Sequence, residues 1–72
     1  MIENLIACYK EAVEKKKYFA SLYQNPNLTK MEKLSIRTQY VKIHNDFCLP
    51  LSQMLENLKI DTYAIEKSIW EG

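Results

Sequence analysis

The stretch Met31–Leu58, MEKLSIRTQYVKIHNDFCLPLSQMLENL, decides the fold of this 72-residue chain. Apolar residues recur in it every seven positions, in three parallel columns, which is typical of a broad apolar side of an α-helix. The columns continue past Pro50, so we expect one helix that bends at the proline without breaking and keeps the proline on its polar side. The columns are Leu34, Val41, Cys48 and Leu55; His44, Leu51 and Leu58; and Tyr40, Phe47 and Met54.

The segment before this stretch predicts a first helix. From Ile2 to about Tyr23, apolar residues recur at helical spacing on one side, and charged residues lie on the other. The helix ends at Asn25–Asn27, because Pro26 disfavours a helical conformation in the residue before it and asparagines favour turns.

Two capping patterns mark where the later helices begin. Thr29 followed by Glu32 is a capping box, in which each side chain accepts a hydrogen bond from the backbone of the other residue. The second helix therefore starts near Lys30. Asp61 can cap a short third helix over residues 62 to about 70.

These elements predict an all-α protein that forms a single domain over residues 1–72. Its architecture is a long antiparallel helical hairpin plus a short C-terminal helix, with three helices in all and the second kinked at Pro50. With one glycine and two prolines, the chain has few of the residues that tight turns require, which disfavours a fold of many short strands. A chain this short buries only about 60% of its unfolded surface, so we expect oligomerisation or a partner to supplement a marginal core.

Charge and cysteine usage exclude several function classes. The formal net charge of +1 gives no strong attraction to nucleic acid or to an anionic membrane. Cys8 and Cys48 lack C-x-x-C spacing, and no signal peptide or apolar run near 18 residues is present, so we expect reduced thiols, a cytoplasmic location and no membrane partner.

Catalytic and metal chemistry find little support in the sequence. His44 and Cys48 are four apart on one helical side and the hairpin brings Cys8 near them, but the fourth ligand of a zinc site is missing. We interpret all three as core or satisfied side chains. No glycine-rich loop or oxyanion turn accompanies a cysteine and histidine pair, so we expect no enzymatic activity, no metal and no cofactor.

Lys16 interrupts the apolar side of the first helix. Antiparallel pairing places Lys16 opposite Arg37 and Tyr9 opposite His44, and two facing cations are unfavourable unless an anion lies between them. Three interpretations remain open. The two cations extend outward with their aliphatic stems packed; Lys16, Arg37, Tyr40 and Tyr9 bind an anionic ligand; or a second subunit supplies the carboxylate.

The C-terminal segment, residues 55–72, resembles the helix-turn-helix of Cro-type phage repressors. That resemblance implies a recognition helix from Thr62 to Trp70 in the DNA major groove. Lys59 stands where the turn glycine is expected, and Leu55 stands where a small residue is expected. The matching positions are Leu58, Ile60, Ala64, Ile65, Lys67, Ile69 and Gly72, and the side chains implied to face the bases are Thr62, Tyr63, Glu66 and Lys67.

The wide apolar side of the second helix favours association over catalysis. We expect a small non-enzymatic helical regulator that self-associates as a dimer or higher oligomer and binds a partner protein through that side. The alternative is a dimeric helix-turn-helix DNA-binding regulator, with nucleic acid not favoured, and a third hypothesis is an anion- or nucleotide-binding protein. The predicted interface residues are Tyr40, Phe47, Leu51, Met54, Leu55, Leu58 and Trp70. The predicted core or self-association seam contains Leu34, Val41, Phe47, Cys48, Leu51, Leu55 and Leu58, with Leu5, Tyr9 and Val13 from the first helix.

Overall fold

A computed structural model describes residues 1–72 and contains helices joined by short loops, with no strand. Helix α1 spans Ile2–Tyr23 and α2 spans Lys30–Ile43. A π-helical turn, His44–Cys48, leads directly into α3, Leu49–Asn57, and α4 spans Thr62–Glu71. Because α2, the π turn and α3 follow one another without a break, they form one long helix. The predicted all-α architecture of three helices is confirmed, and the second helix, predicted to kink at Pro50, is continuous and made of joined pieces.

The turn between α1 and α2 forms as its residue types indicate. Helix α1 ends at Tyr23, and the amide of Asn27 donates to the side-chain oxygen of Asn25 at 3.0 Å. Such a bond from a backbone amide to an asparagine side chain replaces the hydrogen bond that a continuing helix would make, and so favours a turn. The predicted end of the first helix is confirmed.

A complete capping box starts α2. The Glu32 amide donates to Thr29 Oγ1 at 3.1 Å, and the Thr29 amide donates to Glu32 Oε1 at 3.1 Å. Two of the helix's otherwise unpaired amides are thereby satisfied. The predicted start near Lys30 is confirmed.

The helix passes Pro50 by widening one turn before it. The Leu49 amide donates to the carbonyl of His44, five residues back, where an α-helix would bond four residues back. Pro50 lacks an amide, and its ring crowds the fourth carbonyl before it in a regular α-helix. The wider turn lets the chain continue, and Pro50 lies exposed, as expected for the polar side.

The π turn changes which side chains point inward. It holds one residue more than an α turn, so the spacing of inward residues across it is eight: Tyr40 to Cys48, and Ile43 to Leu51. The prediction that the seven-residue columns keep to one side through Pro50 was wrong. Within one column, Cys48 and Leu55 are buried, whereas Leu34 and Val41 are exposed.

The corner between α3 and α4 contains the one residue with a positive φ, Lys59 at 64°. Its amide donates to the Glu56 carbonyl at 2.9 Å, and the Ile60 amide donates to the Leu55 carbonyl at 3.0 Å. This pair of bonds is a Schellman motif, in which glycine is the usual residue at the left-handed position. Asp61 then caps α4 by accepting from the Ala64 amide at 3.1 Å, as predicted.

The core is small and lies where α1 crosses the π turn and α3. Val13 and Leu55 are completely buried within it. The predicted facing of Lys16 and Arg37 was wrong: Lys16 lies beside His44, because the hairpin pairs in a different register. The core consists of Tyr9, Ala12, Val13, Cys48 and Leu55, and around it pack Leu5, Ile6, Ile43, Leu51, Ile60, Ile65 and Ile69.

The helices leave much of the molecule open. Helix α4 packs on α1 and α3 and does not contact α2, and α2 contains no buried residue. The accessible surface is 5467 Å², whereas a compact monomer of 8.5 kDa is expected to expose about 4,700 Å². None of the helices combines the length and apolarity needed to cross a membrane.

Candidate interaction surface

An open groove runs along the hairpin between α1 and the long helix. The α1 residues that line it, Cys8, Ala12 and Phe19, are on the opposite side of α1 from Lys10, Glu14, Lys17 and Ser21, which face α4. The middle of the groove is a cleft of about 520 Å³ whose far wall includes Ile43, Phe47 and Leu51. Because α4 covers only the other side of α1, this groove lies uncovered.

A stripe of exposed apolar side chains, which we call the α3 stripe, continues from this groove along α3. Its members are Phe47, Leu51, Met54 and Leu58, at spacings of four, three and four. Phe47 is 54% exposed, Met54 48% and Leu58 45%, and Leu51 is half-buried. Four neighbouring apolar side chains on one helical side form a continuous patch, unlike the single exposed apolar residues of an ordinary surface.

The other predicted interface residues lie elsewhere. Leu55 is completely buried in the core and has no surface to offer a partner. Tyr40 is half-buried in a second cleft toward the loop between α1 and α2, and Trp70 is 38% exposed on α4. The seven residues are therefore divided among the α3 stripe, the core, the loop end and the C-terminal helix.

Lys16 is buried in a cluster of polar side chains that lines a cleft separate from the groove. Its side chain is 5% exposed, and its Nζ lies 3.5 Å from Glu66 Oε1 and 3.1 Å from His44 Nδ1. A lysine ammonium only donates, so Nδ1 accepts and carries no proton. The Tyr9 hydroxyl donates to Glu66 Oε2 at 3.2 Å, and Lys16 Nζ lies 5.7 Å from the centre of the Tyr40 ring.

Burial determines the protonation of two members of this region. Desolvation, reinforced by the neighbouring Glu66 carboxylate, raises the pKa of Tyr9 to about 12, so its hydroxyl keeps its proton and donates. Desolvation also raises the pKa of the Cys48 thiol, although the nearby Lys16 charge lowers it. Both groups are neutral at ordinary pH.

The proposed anion-binding residues come together only in part. Lys16 and Tyr9 line one cleft, and Arg37 and Tyr40 line another, with Tyr40 lying between the two because its ring is also 5.7 Å from Lys16 Nζ. The carboxylate that accompanies Lys16 is Glu66 of the same chain. The sequence reasoning missed Glu66 as this counter-ion, since only the fold-back of α4 brings it to α1; its position next to the inward-facing Ile65 was the one available signal.

The four residues that the helix-turn-helix resemblance directs toward DNA divide into two pairs. Thr62 is buried and donates to Glu56 Oε1 at 3.2 Å, and Glu66 is engaged with Lys16 and Tyr9. Tyr63 is 73% exposed, and Lys67 is exposed beside Glu71 at 3.9 Å. One pair thus holds α4 to the protein, and the other points to solvent.

The two thiols lie in different environments. Cys48 is buried in the core beside Tyr9, as predicted, whereas Cys8 is exposed in the groove, so its prediction as a core residue was wrong. No group of three or more histidine, cysteine, aspartate or glutamate side chains is arranged to hold a metal ion. His44 belongs to the cluster around Lys16.

No protein-family model, curated protein or solved structure matches the chain.

Proposed function

We propose that this protein is a small non-enzymatic interaction protein that self-associates through the α3 stripe and offers a helical surface to a partner protein. The observation that carries the proposal is the stripe itself: Phe47, Leu51, Met54 and Leu58 form an apolar patch that nothing in this chain covers. Aromatic residues and methionine are enriched at the centres of protein interfaces.

The surface area supports the same conclusion. The chain exposes about 800 Å² more than a compact monomer of its mass would expose. A standard interface buries about 800 Å² on each partner. Part of the excess surface comes from the elongated shape, 42 × 23 × 15 Å. A second copy packed along the long axis would cover part of this surface.

The small core gives self-association an energetic role. Only 7 of 72 residues are buried, and two of them are the polar Lys16 and Thr62. Single cores in chains of this size rarely supply more than about 3–5 kcal/mol. Covering the half-exposed members of the α3 stripe would add roughly 1 kcal/mol for each, at about 25 cal/mol per Å² of apolar surface.

Concentration-dependent unfolding tests this proposal. An oligomer unfolds at a higher temperature when the protein concentration rises, whereas the midpoint of a monomer stays constant. We expect the wild-type midpoint to rise with concentration and the Phe47→Glu midpoint to be independent of it. Leu34→Glu is the matched control, because Leu34 is 58% exposed on α2, away from the stripe, and should behave as wild type. A concentration-independent wild-type midpoint would contradict the proposal.

The alternative, a dimeric DNA-binding regulator, is favoured by the α3–α4 corner. Lys59 adopts the left-handed conformation that a helix-turn-helix turn uses, and Tyr63 and Lys67 are exposed on α4. Against it, Thr62 and Glu66 are bonded inside the protein. Binding to random-sequence duplex DNA at low salt, weakened by Lys67→Ala, would support this function; absence of binding by the wild type would exclude it.

The third hypothesis, an anion or nucleotide site around Lys16, has weaker support. Glu66 already compensates the Lys16 charge, and Arg37 lies in another cleft. A rise in unfolding temperature on addition of nucleotides would support such a site. An unchanged unfolding temperature would contradict a nucleotide site, and the role of Lys16 would then be to hold α4 on α1 through Glu66.

A further inference from the structure

The loop end of the hairpin contains a cleft that is distinct from the α3 stripe. It encloses about 340 Å³ between the last turns of α1 and the middle of α2. Tyr23 and Val41 at its rim are 41% and 43% exposed. Six of its eight lining residues are hydrophobic, and Arg37 is the only charged one. The cleft combines tyrosine and arginine, two of the residue types most enriched among energetically dominant interface residues.

Charge is strongly segregated around this cleft. Residues 15–42 carry seven cations and the single carboxylate of Glu32, a net charge of +6, whereas the rest of the chain carries −5. Three of the cations are engaged: Lys15 pairs with Glu11, Lys16 with Glu66, and Lys17 donates to the Ile69 carbonyl. The remaining cations of this segment, all on α2, are Lys30, Lys33, Arg37 and Lys42.

Three of these four lie in one row. Lys30, Lys33 and Arg37 occur at positions i, i+3 and i+7, which fall on one side of α2. Arg37, at one end of the row, lines the cleft, and its guanidinium makes no hydrogen bond or ion pair within the chain. An apolar cleft lined by one unpaired guanidinium, from which Lys33 and Lys30 continue along α2, is complementary to an apolar side chain flanked by carboxylates.

We propose that the loop-end cleft binds an acidic amphipathic helix of a partner protein. One large apolar side chain of that helix enters between Tyr23 and Tyr40, and its Asp or Glu residues, one helical turn away, pair with Arg37 and Lys33. A helix lying in the groove between two helices is a common mode of peptide recognition. Pairing of the carboxylates with the guanidinium adds bidentate hydrogen bonds to the apolar contact.

A second copy of this chain fits the cleft less well. Its exposed apolar surface is the α3 stripe, and the row beside that stripe is Asp46, Pro50, Gln53 and Asn57, which contains a single carboxylate, next to Phe47. A second copy would therefore bring only one carboxylate to the cations of α2, at the edge of its stripe, whereas an acidic helix brings several. Nucleic acid would bring negative charge to the row of cations, but its phosphate backbone would leave the apolar lining of the cleft without a partner. The predominantly apolar lining favours a side chain of a peptide.

Selection from a displayed library of helical peptides tests this inference. We expect wild-type protein to enrich peptides that combine a large apolar residue with Asp or Glu three or four positions away. Arg37→Glu should bind the selected peptides at least about tenfold more weakly. Lys10→Glu is the matched control, because it makes the same charge change on α1 outside the cleft and Lys10 has no ionic partner. The Lys10→Glu variant should bind the selected peptides with wild-type affinity.

A second variant tests the apolar half of the site. Ala20 is half-buried in the cleft, so Ala20→Phe should fill the space and also weaken binding at least about tenfold. Phe47→Glu should keep full peptide binding, which separates this site from self-association. Failure to enrich peptides, enrichment of neutral or basic ones, or displacement of the peptide by oligothymidylate would overturn the inference.

Discussion

The Lys16 ammonium of α1 and the Glu66 carboxylate of α4 lie 3.5 Å apart, with the lysine side chain only 5% exposed. This ion pair is one of the polar links between the C-terminal helix and the hairpin, together with the hydrogen bond from Lys17 Nζ to the Ile69 carbonyl. The same carboxylate accepts from Tyr9, and the same ammonium donates to His44, so four side chains from α1, the π turn and α4 are connected.

Removing Glu66 should destabilise the protein more than removing an exposed carboxylate. Glu66→Ala leaves the Lys16 charge buried without a counter-ion, which we expect to cost about 1–3 kcal/mol, below the ~3–5 kcal/mol of a fully buried pair because Glu66 is 37% exposed. Glu71→Ala, in the exposed pair with Lys67, should cost less than about 0.5 kcal/mol. Urea unfolding measures both, and equal losses would contradict the role of Glu66.

Tyr9 should make the protein less stable at alkaline pH. Its pKa is raised from 10.0 to about 12 in the folded state, so the folded protein holds the proton more tightly than the unfolded chain does. The stabilisation that the protonated Tyr9 hydroxyl gives to the folded state is fully present below pH 10 and is lost as the pH rises through about 12. Tyr9→Phe should lose less unfolding free energy over this interval than wild type, by on the order of 2 kcal/mol. Parallel curves for the two proteins would exclude the effect.

The two cysteines should react with a thiol reagent at very different rates. Cys8 is exposed, whereas Cys48 is 4% exposed and its pKa is raised by burial, so its thiolate is scarce and inaccessible. We expect one fast and one slow thiol in the native protein. Cys8→Ser should remove the fast phase alone, and both thiols should react rapidly in urea. Fast labelling of the native Cys8→Ser variant would show that the core is not packed as described.

The π turn should tolerate a deletion that α3 does not. Deleting Asn45 should convert the π turn to an α turn and leave the inward-facing sides of α2 and α3 where they are. Because the π turn accommodates the ring of Pro50, the deletion is combined with Pro50→Ala. We expect this double variant to unfold within about 1 kcal/mol of Pro50→Ala alone.

The matched control is deletion of Gln53, which is equally exposed but lies within α3. It rotates Leu55 away from the core, so we expect a loss of about 2–5 kcal/mol, as for truncation of a buried leucine. Urea unfolding compares the two deletions in the Pro50→Ala background. Equal losses would contradict the account of the π turn.

Local signals in the sequence predicted most of the helix boundaries. These signals are the capping box of Thr29 and Glu32, the cap at Asp61 and the turn at Asn25. Each depends on residues two or three positions apart, so the local sequence is sufficient to find it. The π turn was missed because one extra residue in a helix leaves the spacing of apolar residues ambiguous. The spacings of eight, from Tyr40 to Cys48 and from Ile43 to Leu51, were its only traces in the sequence.

The candidate site was less accessible to sequence reasoning. The position of Lys16 beside His44 and Glu66 depends on the register of the hairpin and the fold-back of α4, neither of which a local pattern specifies. Phe47, Met54 and Leu58, three of the predicted interface residues, are exposed, and their role in an interface stays a prediction. Leu55 is buried because it follows Met54 by one position and therefore points to another side of α3, and tertiary packing determines which side faces the core.

Sedimentation equilibrium over a wide range of protein concentration tests the central proposal most directly. We expect the wild-type mass to reach at least twice the 8.5 kDa of one chain, Phe47→Glu to remain at 8.5 kDa, and Leu34→Glu to match wild type. A wild-type mass of 8.5 kDa at every concentration would contradict self-association through the α3 stripe.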